Sequence, residues 1–288
     1  MSARPVATIA AALLGIGALP APGPSVAHHG RPMVIAHRGA SAYAPENTLA
    51  AVDLADELGV GWVETDVQRS KDGELVVVHD AGLARTTDVE QRFPGRAPWK
   101  VKDFTAAEIA TLDAGSWFGG RWAGARVPTL KEYLNRVDTH HQMLFLEIKK
   151  PELYPGIEAD TLRVLDEEGW LDRHHVRRRL VILSFRAATV KAVHARRPDV
   201  TTGFNGAPAV ADLPAYAAFT DQINPAVGTV DAAYVAAVQA LNGAHGRPLR
   251  VNAGTVNDAA GARRLAGFGV DGIFSNNPDV VADALDGD

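Results

Sequence analysis

The sequence predicts an α/β protein with the (β/α)8 architecture of a TIM barrel, and three observations support this prediction. Short apolar runs rich in β-branched residues recur along the chain, as they do in strands buried on both faces of a parallel sheet. Stretches with helical spacing of apolar residues lie between most of these runs, and several end at a glycine or before a proline. The chain has 288 residues, which suits one such barrel.

Nine apolar runs are strand candidates, one more than eight parallel strands require. They are residues 33–37, 61–67, 75–79, 143–148, 180–184, 200–204, 220–224, 249–253 and 272–275. The short gap between the second and third runs cannot hold a crossover helix, and it contains the turn signal Lys71-Asp72-Gly73. These two runs should therefore form an antiparallel hairpin, which leaves eight βα units.

Helices are expected between the later strands and after the first one. The candidate stretches are residues 47–58, 157–168, 187–197, 231–239 and 258–268. Residues 81–140 do not fit the alternation, because they are rich in Gly, Pro, Arg and Trp. We interpret them as a lobe inserted between the hairpin and the third barrel strand, over the barrel mouth.

The lobe contributes aromatic residues that are candidates for contact with a ligand. Trp117 and Phe118 are the predicted substrate-lining pair, and Trp99 and Trp122 lie in the same segment. The alternative is a lid that covers the barrel without touching a ligand.

The N-terminal segment has the composition of a secretory signal peptide. Arg4 supplies a minimal positive region, residues 6–19 are uncharged and apolar, and Ser25-Val26-Ala27 offers small residues for cleavage. The expected mature protein is a single domain, residues 28–288, in a secreted or periplasmic location. The alternative is a disordered or tag-like leader.

Composition excludes several classes of protein. The formal net charge is −5 and there is no tract of Lys or Arg, which argues against a general nucleic-acid-binding protein. The chain has no cysteine, so neither a disulfide framework nor a thiolate metal site is available.

Three carboxylates are placed to share one cavity. Glu64 and Asp66 are two apart on a predicted strand and point to the same face, and Glu147 is near the end of another strand. Carboxylates that face one cavity repel each other unless a cation or a proton separates them. The set therefore predicts one hard divalent cation, Ca²⁺ or Mg²⁺. The alternative is ion pairing without a metal, with Arg38 and Lys149 as the partners.

Two histidines end strands that should open on the same face. His37 and His79 can each give or take a proton near neutral pH, as cleavage of a P–O bond requires. Arg38 and Lys149 are candidates for binding the phosphate, Arg as a bidentate donor and Lys as a point charge. Together with the carboxylates, these residues predict metal-assisted cleavage of a phosphodiester.

These segments resemble the glycerophosphodiester phosphodiesterases in an ordered series. The matching segments are His37-Arg38-Gly39, Pro45-Glu46-Asn47-Thr48, Glu64-Thr65-Asp66-Val67, Lys71-Asp72-Gly73, Val78-His79-Asp80, Arg85-Thr86-Thr87, Val127-Pro128-Thr129-Leu130 and Leu146-Glu147-Ile148-Lys149. The resemblance implies a small-molecule glycerophosphodiester substrate that is hydrolysed to sn-glycerol 3-phosphate and an alcohol. It also implies His37 and His79 as the acid–base pair and Glu64, Asp66 and Glu147 as the metal ligands.

The chain departs from the family pattern twice. Gly254 stands where the family usually has Trp before Thr-Val-Asn, and Asn276 stands where it usually has Asp. Neither departure falls on the proposed catalytic set, so we expect both to affect substrate choice more than reaction type.

Two other functions fit the same barrel. The first is an enzyme that acts on lipid head groups, like sphingomyelinase D or phosphatidylinositol-specific phospholipase C, which would bring membrane contact. The second is a binding protein without catalysis, which the intact histidine pair and carboxylates argue against.

Overall fold

The structure is a computed structural model that describes Met1 and residues 30–287. The rest of the predicted signal segment, residues 2–27, lies outside the described residues. The nine strands within residues 30–287 are β1 Met33–Ala36, β2 Trp62–Arg69, β3 Leu75–Val77, β4 Met143–Ile148, β5 Leu180–Ser184, β6 Thr201–Asn205, β7 Gln222–Asn224, β8 Arg250–Gly254 and β9 Gly272–Ser275.

Eleven α-helices lie in the same part of the chain. They are α1 Leu49–Glu57, α2 Val89–Arg92, α3 Ala106–Ile109, α4 Leu130–Thr139, α5 Ile157–Glu167, α6 Arg173–Arg178, α7 Ala187–Arg196, α8 Leu213–Ala217, α9 Ala232–Gln239, α10 Ala259–Phe268 and α11 Pro278–Asp286. No helix of the described residues has both the length and the apolar character needed to cross a membrane.

The sheet closes into a barrel of eight parallel strands. Strand β1 pairs in parallel with both β2 and β9, and the remaining barrel strands follow in the order β9, β8, β7, β6, β5, β4, β2. The predicted (β/α)8 fold is therefore confirmed. All nine strand candidates are strands, each with ends within a few residues of those expected.

Strand β3 lies outside the ring of eight parallel strands and forms the predicted hairpin with β2. Strand β2 pairs with β3 in antiparallel register, with Val67 opposite Val77 and Arg69 opposite Leu75. The chain turns back at Gly73, whose φ of +96° is accessible to glycine at little cost. Because the hairpin extends from the carboxyl end of β2, it directs the following segment over the barrel mouth.

The inside of the barrel is filled by a small apolar cluster. It consists of Ile35, Phe145, Val181, Leu183 and Phe274, each less than 9% exposed. The outer faces of the strands pack against the surrounding helices in two larger clusters. The polar site residues therefore lie above a solid apolar layer.

The inserted lobe has a core of its own, but it is shorter than predicted. Apolar residues between Val76 and Val127, including Leu83, Phe104 and Leu112, form this separate cluster. Helix α4, within the predicted range 81–140, instead shares the barrel's core through residues such as Leu134. The helix begins at a Thr129 capping box, which marks the boundary of the lobe.

Candidate active site

The predicted polar residues converge at the carboxyl ends of the barrel strands. His37 and Arg38 follow β1, and Glu64 and Asp66 lie on β2. His79 follows β3, Glu147 is the penultimate residue of β4, and Lys149 follows that strand. Six of these seven side chains line one cavity of about 230 Å³. The seventh, Asp66, is 1% exposed and contacts the cavity's two cationic side chains.

The three carboxylates form one compact group because of strand register. Asp66 is directly opposite Glu147 on the neighbouring parallel strand, and Glu64 is two residues before Asp66 on the same face. Each offers one oxygen, and these oxygens lie within 4.8 Å of one another. All three residues are less than 5% exposed. This arrangement can hold a metal ion.

The ion pairs considered as the alternative are also present. Lys149 Nζ lies 2.8 Å from Glu147 and 3.3 Å from Asp66, and Arg38 Nε lies 3.4 Å from Asp66. Glu64 accepts a hydrogen bond from the backbone N–H of Arg38 at 3.0 Å, and its nearest side-chain partner is His37, with 4.0 Å between Nε2 and the carboxylate. The two cations therefore neutralise only part of the carboxylate group.

The pKa values reflect this imbalance. Burial and the neighbouring carboxylates raise the pKa of Glu64 well above its ordinary value, and burial together with Asp66 raises the pKa of Glu147 to about 7. Burial also opposes ionisation of Asp66, but Lys149 and Arg38 outweigh it and lower the pKa of this carboxyl.

A chain of charged contacts joins Arg38 to His79 around the cavity. Arg38 Nη1 donates to Glu46 at 3.0 Å, and Glu46 accepts two hydrogen bonds of 2.7 Å from Arg85. Arg85 Nε then donates to Asp80 at 2.6 Å, and Asp80 binds Nδ1 of His79 at 2.7 Å. Glu46, Asp80 and Arg85 lie in segments that resemble the family, but the sequence alone did not indicate a role for them.

The charge count of this network fits a bound divalent cation. Five carboxylates, those of Glu46, Glu64, Asp66, Asp80 and Glu147, face three cationic side chains, so two negative charges are uncompensated. Two buried atoms at the centre, Nε of Arg38 and Oδ1 of Asp66, have no hydrogen-bond partner. A hard cation held by oxygen ligands would balance the charge and bind Oδ1 of Asp66, whereas the N–H at Nε of Arg38 is a donor that suits an anionic ligand oxygen.

His37 is held by Asn276, which corrects one expectation. Nδ1 of His37 lies 2.7 Å from the Asn276 side-chain oxygen, which also accepts from Ser41 Oγ at 3.0 Å. The expectation that neither departure affects the catalytic set is therefore wrong for Asn276. The two residues meet because β1 pairs with β9, which closes the barrel.

The neutral amide has an electrostatic consequence for His37. Burial and the nearby Arg38 lower the pKa of His37 to about 4, and the hydrogen bond that His37 donates to Asn276 opposes them only in part. An amide oxygen only accepts, so the contact requires the proton on Nδ1 and leaves the lone pair on Nε2. His37 is therefore a neutral imidazole at neutral pH, with Nε2 toward Glu64.

Replacing Asn276 with Asp is expected to move the acidic limb of the pH–rate profile upward by about one pH unit. A carboxylate beside Nδ1 stabilises the imidazolium and raises the pKa of His37, so the neutral form is lost at a higher pH. The measurement is kcat/KM for diester hydrolysis across pH 4–8. Asn276→Ala removes the acceptor without adding charge, and its acidic limb should not move upward; equal limbs for both variants would contradict the assignment.

The pKa of His79 is also lowered, because the effect of burial is larger than the opposing effect of the nearby Asp66 carboxylate. Asp80 binds Nδ1 of His79, and the hydrogen bonds that Asp80 accepts from Arg85 and His79 outweigh burial and lower its pKa to about 2. Asp80 is therefore a carboxylate at working pH and accepts from Nδ1 of His79. The remaining nitrogen, Nε2, is left for a ligand.

A row of buried asparagines supports Glu147 from the far side of the barrel. Asn205 donates to Glu147 at 3.1 Å, Asn224 donates to Asn205 at 3.0 Å, and Asn252 donates to Asn224 at 3.1 Å. Sequence analysis missed these residues. The available signal was that Asn205 and Asn224 are the last residues of their strands, at the edge where the other site residues lie.

The structure does not bring Trp117 and Phe118 to the cavity. These rings pack edge-to-face with centroids 5.5 Å apart, and neither residue is part of the cavity wall. The apolar wall comes instead from Leu183, Phe185 and Phe274. Phe185 is 59% exposed and has Lys149 Nζ 5.1 Å from its ring centre.

The first departure, Gly254, also lies in the cavity wall. A Cβ atom at this position would lie 2.7 Å from Cβ and 2.8 Å from the backbone oxygen of Phe274. The backbone of β8 therefore approaches β9 too closely for a side chain here. The aromatic side chain that the family pattern has before Thr255 is therefore absent from this wall.

Fold and site together define the class of this protein. A TIM barrel carries two histidines, an arginine and a lysine around a buried carboxylate group at the carboxyl ends of its strands. This combination is suited to hydrolysis of phosphate esters, in which an anion is bound, protons are transferred and a cation is held nearby.

The chain belongs to the Glycerophosphoryl diester phosphodiesterase family, whose sequence model matches residues 37–280. It is 34% identical over 263 residues to a glycerophosphodiester phosphodiesterase of Bacillus subtilis, covering 87% of this chain and 85% of the relative. The structure of an Oleispira antarctica phosphodiesterase in complex with the product sn-glycerol-3-phosphate is also similar. Its TM-score is 0.76 at 32% identity, with 88% of this chain and 97% of that one covered.

A second solved structure, a glycerophosphodiester phosphodiesterase from Agrobacterium tumefaciens, has a TM-score of 0.68 at 28% identity, over 88% of this chain and 99% of that one. The predicted family is thus confirmed, and the protein is a phosphoric diester hydrolase with glycerophosphodiester phosphodiesterase activity.

Proposed function

We propose that the protein is an exported, metal-dependent enzyme that hydrolyses small glycerophosphodiesters to sn-glycerol 3-phosphate and an alcohol by paired histidine catalysis. The observation that carries the proposal is the convergence of His37, His79, Arg38 and Lys149 around one buried carboxylate group. The product bound in the structure of the Oleispira relative, sn-glycerol-3-phosphate, supports the same substrate class.

His37 is the proposed general base. Its low pKa keeps it neutral, and the Asn276 contact puts the lone pair on Nε2, toward Glu64. A neutral imidazole in this state removes the proton of the attacking hydroxyl. The hydroxyl belongs to water or to the glycerol itself.

His79 is the proposed general acid. Its Nδ1 is bound to the Asp80 carboxylate, which stabilises the imidazolium form. Once an anionic phosphate enters the cavity, its charge further favours a proton on Nε2, which is delivered to the leaving alcohol oxygen. Arg85 holds Asp80 in place and so acts as a positioning residue.

The phosphate is bound by the cationic side chains of the cavity wall. Lys149 is 7% exposed and bound to carboxylates, and Arg38 is fixed by Glu46 and Asp66. Because both are held by packing and ion pairs, they present their charges without a further ordering cost. Glu64, Asp66 and Glu147 would hold the divalent cation, which would supply charge stabilisation for the phosphoryl oxygens.

Export is supported by the sequence of the N-terminal segment. The uncharged run at 6–19 and the small residues 25–27 have the features that a signal peptidase recognises. We expect the mature chain to begin at about residue 28, which N-terminal sequencing of the exported protein would test.

The experiment that tests the function is release of glycerol 3-phosphate by the mature protein. Glycerophosphocholine, glycerophosphoethanolamine, glycerophosphoglycerol and glycerophosphoinositol are offered separately, first with EDTA and then with Ca²⁺ or Mg²⁺ restored. We expect release that stops on chelation and returns with metal. A folded, metal-bound protein that releases choline from sphingomyelin, or cleaves lysophospholipids, but releases nothing from these four substrates would contradict the proposal in favour of a lipid head-group enzyme.

A further inference from the structure

A large open cavity lies at the opposite end of the barrel from the active site. Its volume is about 910 Å³, within the range of sites for small molecules. The first residues of six barrel strands line it: Met33, Trp62, Leu180, Thr201, Gln222 and Arg250. The catalytic side chains lie at the other ends of the strands, and the apolar cluster inside the barrel separates the two.

The walls of this cavity carry an excess of positive charge. Five exposed arginines line it, three from helix α6 and two from the start of β8 and the loop before it: Arg173, Arg177, Arg178, Arg247 and Arg250. None of the five has an ion-pair partner within residues 30–287. This concentration of arginine occurs in a chain whose net charge is −5.

The two acidic residues of the cavity wall are already engaged. Asp199 accepts two hydrogen bonds of 2.9 Å from Arg197, which is outside the cavity wall. Asp221 accepts from the backbone N–H and the Nδ1 of His245, at 3.0 and 2.9 Å. Neither carboxylate accepts a hydrogen bond from the side chain of any of the five arginines. The guanidinium groups of these arginines are therefore available to an anion.

The floor of the cavity is apolar. It is formed by the partly exposed Trp62 and Met33, and Trp62 packs on the fully buried Phe145 with ring centroids 4.9 Å apart. A ligand that fits here combines anionic groups for the arginines with an apolar ring for the floor. Arginine binds phosphate through paired donors, which makes phosphate the anion that this wall recognises best.

We propose that this cavity, which we call the basal cavity, is a second binding site for a small phosphorylated molecule with an apolar ring. The site is separate from the active site and does not depend on the proposed function. A concave cavity of this size favours a small molecule over a flat membrane surface.

The test uses ATP as the probe, with Mg²⁺ in excess so that the enzyme keeps its own cation, and measures binding by calorimetry. We expect wild-type protein to bind ATP but not adenosine, with an affinity that falls as salt is raised. In the double variant Arg177→Gln/Arg247→Gln, ATP binding should weaken at least tenfold, while hydrolysis of the diester stays within about twofold of wild type.

Two further variants separate the basal cavity from the active site. Arg163→Gln changes an exposed arginine paired with Glu167 outside this cavity, and it should bind ATP like wild type. Arg38→Gln should lose hydrolysis but keep ATP binding. The proposal is overturned if Arg38→Gln loses ATP binding and the double variant keeps it, or if anionic phosphatidylglycerol vesicles bind at these arginines and ATP does not.

Discussion

Replacing His79 with Ala is expected to lower kcat/KM for glycerophosphodiesters by about 10²- to 10⁴-fold, and His37→Ala should cause a loss of similar size. Each variant removes one proposed proton-transfer group from the cavity and leaves the barrel core unchanged, because both residues follow strands at the mouth. The measurement is steady-state release of glycerol 3-phosphate with metal present. His174→Ala, at an exposed position on α6, is the matched control and should keep full activity.

The leaving group distinguishes the two histidines. A p-nitrophenyl ester of glycerol phosphate releases a phenolate that needs little protonation, so His79→Ala should recover most of its activity on this substrate. His37→Ala should stay inactive on both substrates, because the attacking hydroxyl still has to lose its proton. Recovery of His37→Ala instead would reverse the two roles, and recovery of neither would contradict paired acid–base catalysis.

The parts of the fold that sequence predicted are those that depend on local patterns. Each barrel strand is a short apolar run with its own turn signals, and the hairpin follows from the length of one gap and from Lys71-Asp72-Gly73. A local sequence signal also marks the end of the lobe. Thr129 and Glu132 form a capping box at the start of α4, but the prediction extended the lobe through this helix.

The features that sequence did not predict depend on closure of the barrel. Asn276 and His37 are 239 positions apart and meet because the last strand pairs with the first. The row of Asn205, Asn224 and Asn252 likewise joins three strands whose registers are set by the whole sheet. Local periodicity shows which residues face inward, but not which inward residues become neighbours across the barrel.

Removing one proposed metal ligand should stabilise the metal-free protein and abolish its response to metal. The substitution is Glu64→Gln. Glu64 is the carboxylate of the group that has no Lys or Arg side chain within 4.0 Å; its nearest side-chain partner is the neutral His37. Its amide replacement can still accept from the backbone N–H of Arg38. It therefore removes a buried charge without removing a buried hydrogen bond.

The pH dependence follows from the raised pKa values. Folding favours the neutral form of Glu64 and Glu147, so these two carboxyls contribute stability to the metal-free protein at low pH that is lost as the pH rises from about 4.5, the ordinary value, to about 7, the pKa of folded Glu147. For Glu147 alone this loss is on the order of 3 kcal/mol. His37 and His79, whose pKa values are lowered, oppose this trend in wild type and in Glu64→Gln alike. We therefore expect the Tm of EDTA-treated wild type to fall by several degrees relative to that of Glu64→Gln between pH 5 and 7.5, and Ca²⁺ or Mg²⁺ to restore it.

Glu64→Gln should differ from wild type in three measurements at pH 7.5. Its metal-free Tm should be several degrees higher, added metal should raise that Tm little, and kcat/KM should fall at least about 100-fold. Glu57→Gln, at an exposed position at the end of α1, is the control and should behave like wild type in all three. If Glu64→Gln keeps the wild-type response to metal, the ion is bound elsewhere. The cationic partners of this carboxylate group within residues 30–287 are then Arg38 and Lys149 alone.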